Sequence, residues 1–189
     1  MHVILPAEKN PALRAHSRHL SAAEIKSTKV KKLIAEMKHL LAKEPYGVAL
    51  AAVQLGEPLQ LFIVSGRALA RNARNAPDEP AQQAQSKPGK KEESSAALPD
   101  QIFINPSILK MSRGKKEKHE GCLSIRGKWG QVPRAEKVTL RYVDESGASA
   151  TRGASGFLAH IFQHEMDHLE GILYIDKAAH LYDEEPEKN

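Results

Sequence analysis

The chain has 189 residues, with 28 Lys and Arg against 23 Asp and Glu, a net charge of +5 and one cysteine. That length suits one domain with a real core, and a single cysteine excludes an internal disulfide framework. No stretch approaches the roughly 18 apolar residues of a membrane span, and the opening "MHVILPAEKNPALR" has too short an apolar run for a signal peptide, so the expectation is a soluble, cytoplasmic protein.

"SAAEIKSTKVKKLIAEMKHLLAKE" opens on a capping box, Ser21 with Glu24, and then sets Val30, Leu33, Ile34, Met37, Leu40 and Leu41 at helical spacing. This predicts one amphipathic helix whose Lys-rich face is solvated. After "GVALAAVQLG" comes a short β-like run, "LQLFIVS". From about 66 to 100 the composition turns to Ala, Gln, Asn, Ser, Pro and Lys, with little to bury, which predicts a long mobile loop.

Order resumes at "QIFINPSIL". "KVTLRYVD" alternates Val138, Leu140 and Tyr142 on one face, "ESG" supplies a turn, and "ASATRG" returns as a partner strand. Ser155 then stands where it can cap a helix through "GFLAHIFQHEMDHLE", which Gly171 stops. Phe157, Leu158, Ile161, Phe162, Met166 and Leu169 make that helix apolar on most sides, so it belongs in the middle of the fold. The fold class expected is α+β: antiparallel strands around a central helix, an N-terminal amphipathic helix, and a tail that frays from about 183.

The central helix carries the chemistry. His164 and His168 lie one turn apart on one face and can present imidazole nitrogens to one metal ion, while Glu165 stands beside them as a proton acceptor for water at that ion. A catalytic site of this kind needs a third protein ligand. His160 extends the same helix face and converges poorly, Glu170 points away from His168, and His180 lies near the end of the chain. Cys122, in the small-residue loop "HEGCLSIRG", offers a thiolate and is the preferred third ligand. The extensions that mark thermolysin-like proteases and metzincins do not follow His168.

Three segments in this order, "GVALAAVQ", "EGCLS" and "QHEMDH", resemble the motifs of the peptide deformylase family, G-x-G-x-A-A-x-Q, E-G-C-L-S and H-E-x-D-H. Only Ala49 departs, standing where the first motif has its second glycine. The similarity continues through "NPALR", "INPSIL" and "GILYIDK". It implies a single catalytic domain over 1–189 that removes the formyl group from the formylmethionine terminus of new polypeptides and releases formate. Cys122, His164 and His168 would hold one divalent ion, Fe2+ by expectation, with Zn2+, Ni2+ or Co2+ also accepted. Glu165 would be the general acid and base, and Gln54 with the backbone N–H of Leu123 would bind the formyl oxygen.

For the methionine pocket the resemblance suggests Val48, Ala49, Glu120, Leu123, His160 and Ile161. His160 stands where an aliphatic residue is common, and is expected to put a polar group in the pocket wall. Asp167 and Arg134 are candidates either for support of the site or for ordinary ion pairing. A formylmethionyl peptide is the expected partner, the chain is expected to be a monomer, and its basic surface could meet the ribosome transiently. Two other readings are a metallopeptidase that cleaves peptide bonds and a non-catalytic protein that binds RNA or the ribosome through that surface.

Overall fold

The computed structural model describes residues 2–73 and 98–183. A five-stranded antiparallel sheet is formed by β1 (Ala49–Ala51), β2 (Leu61–Val64), β3 (Gln101–Met111), β6 (Lys137–Val143) and β7 (Ser149–Ser155), in that spatial order. A second sheet joins β4 (Lys115–Cys122), β5 (Ile125–Ala135) and β8 (His180–Asp183), with β5 in the centre. The architecture is α+β, as expected.

The larger sheet lies between two helices, α2 (Thr28–Lys43) and α4 (Gly156–Leu169). Strand periodicity sorts its side chains: Ala49, Ala51, Phe62, Val64 and Phe103 join the cluster containing Leu158, Ile161 and Phe162 of α4, while Leu50, Leu61, Ile63, Ile102 and Ile104 face Val30, Leu33, Ile34 and Met37 of α2. This is why β2 reads as an unbroken apolar run: every residue of it is buried. Phe62 stacks on Phe103 at 4.6 Å, and Phe162 meets Phe103 edge-on at 5.0 Å, tying α4 to the sheet centre.

Three expectations change. The N-terminal helix is two: Ser21 and Glu24 cap α1 (Ala22–Ile25), and Ser27 then accepts from Val30 N–H and starts α2 afresh. Cys122 ends a strand and does not sit in a loop, because "HEGC" pairs with β5 as far as Ile125. The loop expected over 66–100 begins too early, since Gly66–Ala73 is a helix, α3, with Ala68 and Leu69 buried. The chain returns over its first turn so closely that a Cβ at Gly66 would stand 1.6 Å from the Leu98 carbonyl oxygen. The remainder of that expected loop, 74–97, and the tail after 183 lie outside the described residues.

The hairpin of β6 and β7 turns at "DESGA", where Asp144 accepts from Ser146 and Ala148 N–H. Ser155 occupies the N-cap of α4 without a side-chain cap; Asn72 of α3 instead accepts from Leu158 N–H at 3.4 Å. At the other end Gly171 takes φ +73°, and a Cβ there would meet the Arg14 backbone at 2.8 Å.

Candidate metal centre and active site

The end of β4 and one face of α4 converge. Gln163 fixes their relation: its amide oxygen accepts from Ala135 N–H and its amide nitrogen donates to Ala135 O, both at 2.9 Å, which clamps α4 to the end of β5. With α4 so held, the ligand atoms of Cys122, His164 and His168 all lie within 4.8 Å of one another. Cys122 Sγ is 3.4 Å from His168 Nε2, and the two imidazoles are perpendicular with centroids 4.7 Å apart. Bond lengths of about 2.1 Å to nitrogen and 2.3 Å to sulfur at a tetrahedral angle put such ligand atoms about 3.6 Å apart, so the three residues fit one ion.

The other third-ligand candidates are elsewhere. Glu170 pairs with His16 at 2.9 Å, His180 is exposed in β8, and His160 is outside the ligand group.

Behind the ligands is a buried carboxylate. Glu120 Oε2 lies 2.7 Å from His164 Nδ1, which leaves Nε2 as the nitrogen available to a metal ion. Arg134 forks onto Glu120 at 2.5 and 2.9 Å and reaches Asp167 at 2.6 Å, and Lys177 also holds Asp167 at 2.6 Å. Burial works to raise the Glu120 carboxyl, but Arg134, His160 and His164 overcome it and hold it well below the usual carboxylate range. Burial likewise opposes charge on both ligand imidazoles and prevails at His168. At His164 the Cys122 and Glu120 contacts reverse it and hold that imidazole above its ordinary pKa.

Glu165 is 3% exposed, and its Oε2 is buried without a hydrogen-bond partner among the described residues. Burial, assisted by the Glu120 charge and opposed by His164, pushes its carboxyl up to about 7, where a group exchanges protons readily at neutral pH. Gln54 is aimed from its own turn. Its Oε1 accepts from Ala51 N–H at 2.9 Å, so its amide N–H groups point toward Ser124 Oγ at 3.3 Å and Cys122 Sγ at 3.5 Å.

A cleft of about 850 Å³ opens over this group, and Val48, Ala49, Gln54, Glu120, Cys122, Leu123, His160, Ile161, His164 and Glu165 all line it. Two of the expected pocket residues differ in what they present. The Glu120 side chain is only 1% exposed and is spent on Arg134, His160 and His164, and His160 Nε2 lies 2.9 Å from Glu120 Oε1. That contact turns His160 Nε2 into the protein, while the ring itself lines the cleft. Sequence reasoning left Arg134 and Asp167 undecided and overlooked Gln163 and Ser124. The last two stand inside "QHEMDH" and "EGCLS", and that placement was the available signal.

A cysteine and two imidazoles close enough to hold one metal ion, with the buried Glu165 carboxyl lining the same cleft, fit a metallohydrolase centre. The family model described as polypeptide deformylase matches residues 2–184. A peptide deformylase of Caulobacter vibrioides is 37% identical over 136 residues, 71% of this chain and 64% of that protein. One of Finegoldia magna is 30% identical over 181 residues, 96% of this chain and 92% of the relative. Among solved structures, a class I type b peptide deformylase from Acinetobacter baumannii superposes with a TM-score of 0.72 at 26% identity, covering 94% of this chain and 99% of that one. The chain belongs to the polypeptide deformylase family, enzymes that remove the N-formyl group from nascent peptides.

Proposed function

We propose that this chain hydrolyses the formamide of N-formylmethionyl peptides, with Cys122, His164 and His168 holding one divalent ion. The observation that carries this reading is the meeting, at one cleft, of that ligand set with the buried Glu165 carboxyl, whose Oε2 has no partner among the described residues, and the aimed Gln54 amide. When bound, the ion supplies Lewis acidity, which makes water nucleophilic at neutral pH and polarises a carbonyl. Ferrous iron is the ion assigned, on the family resemblance; zinc, nickel and cobalt suit the same donors.

Glu165 takes the proton from the attacking water and returns it to the methionine nitrogen as that nitrogen leaves, a role suited to a carboxyl near 7. Gln54 and the Leu123 backbone N–H donate to the formyl oxygen as negative charge develops on it. Val48, Ala49 and Ile161 form the apolar wall for the methionine side chain, and the Ala49 methyl narrows that wall relative to glycine. The net charge of +5 supports a transient meeting with the ribosome, and cytoplasmic work as a monomer completes the reading. No helix among the described residues is long and apolar enough to cross a membrane.

The test is incubation of metal-loaded protein with formyl-Met-Ala-Ser, following formate and the free amino terminus. Equal yields of the two are expected, with the Met-Ala bond intact. Cleavage of that bond would favour the metallopeptidase reading, and no formate from fully loaded protein would sink the proposal.

A further inference from the structure

An ionised carboxylate offers about four acceptor positions, and at Glu120 each has a donor. Oε1 faces Arg134 Nε at 2.5 Å and His160 Nε2 at 2.9 Å, and Oε2 faces Arg134 Nη2 at 2.9 Å and His164 Nδ1 at 2.7 Å. His160 and His164 are one turn apart on α4, so one helix face delivers both imidazoles to the same carboxylate. Phe157, a further turn back, stands perpendicular to the His160 ring with centroids 6.5 Å apart.

The two other supports are not equivalent. Arg134 is shared with Asp167 at 2.6 Å, and Asp167 in turn with Lys177, so the guanidinium answers to two carboxylates. Among the described residues, the polar contact of His160 is with Glu120 alone. His160 Nε2 faces a carboxylate oxygen, so the tautomer that suits this contact carries its N–H on Nε2. The ring also lines the cleft, where its side chain is 11% exposed.

We infer that His160 is a positioning residue for the metal centre: as the fourth donor to Glu120 it fixes the carboxylate that orients His164, and so joins the cleft wall to the ligand set. Outer partners of ligand imidazoles set ring orientation and basicity, and their loss weakens metal binding by about 10- to 100-fold. His160 is one step further out and Arg134 remains in place, so the lower end of that range applies. The inference rests on the reading of Cys122, His164 and His168 as the ligands.

The test is Co2+ titration of metal-free protein, followed by the visible spectrum, for wild type, His160→Ile and His160→Gln. The Gln amide places an N–H at about the reach of imidazole Nε2 and can keep the donor, whereas Ile restores an apolar wall and removes it. We expect His160→Ile to raise the Co2+ Kd about tenfold and to alter the spectrum, with His160→Gln within about threefold of wild type. If His160→Ile does not fold by circular dichroism, the unbranched His160→Met takes its place. A wild-type Kd and spectrum in the apolar variant, whatever happens to KM, overturns the inference and leaves His160 as cleft wall. Equal losses in the apolar and Gln variants also overturn it, since packing and not the donor would then be responsible. Wild type that takes up no Co2+, or Cys122→Ala that binds it unchanged, sinks the ligand reading itself.

Discussion

Replacing Glu165 by Gln removes a proton acceptor and, in the metal-free protein, an ionisable group that folding penalises. The amide is nearly isosteric and cannot take a proton from water, so turnover of metal-loaded protein should fall by at least about a hundredfold. Stability should show a second signature. Burial lifts the Glu165 carboxyl from 4.5 to about 7 in the folded state, so between those values the folded chain holds a proton that the unfolded chain has released. Folded protein then binds more protons than unfolded, and stability falls as pH rises through this window. At about 1.4 kcal/mol per pH unit, the rise corresponds to about 3 kcal/mol lost by pH 8 relative to pH 4. The variant lacks this loss. Urea unfolding of chelator-treated wild type and Glu165→Gln at half-unit steps from pH 4 to 8 gives the difference curve, in which background titrations cancel. A constant offset between the two proteins is compatible with the reasoning, because the amide has its own unsatisfied hydrogen bonds. A difference that does not change with pH refutes it.

Cys122→Ala leaves two protein ligands, so metal content after dialysis and formate release should fall together; full occupancy measured by elemental analysis would contradict the ligand assignment. Arg134→Met strips two donors from a buried carboxylate and should cost about 3–5 kcal/mol in urea unfolding, whereas a loss below about 1 kcal/mol would show that Glu120 finds other support. Phe103→Ala empties the junction of Phe62, Tyr142 and Phe162 and should cost about 3–5 kcal/mol. Stoichiometric metal uptake by the folded fraction of that variant is also expected, and loss of uptake there would mean the aromatic core sets the ligand geometry.

The sequence alone determined what periodicity and spacing can express. The i, i+4 imidazoles of His164 and His168 follow from helix geometry, the alternation of Val138, Leu140 and Tyr142 from the strand pleat, and the stop at Gly171 from its tolerance of positive φ. The family motifs marked Cys122 and Gln54 because a contiguous pattern survives divergence of the surrounding chain. The helical start of the 66–100 stretch escaped, because a composition poor in apolar residues hides the burial of Ala68 and Leu69 against other parts of the chain. Only tertiary structure decided the roles of Glu120, Arg134, His160 and Asp167. Each carries a charge or polar group that would be solvated in isolation, and nothing in its sequence neighbourhood says whether folding will bury it or what it will meet. Packing α4 against β4 and β5 brought residues separated by 14 to 44 positions onto one carboxylate, where a buried charge must be fully hydrogen-bonded to persist. That requirement joined four apparently ordinary polar residues into one buried cluster beside the candidate metal site.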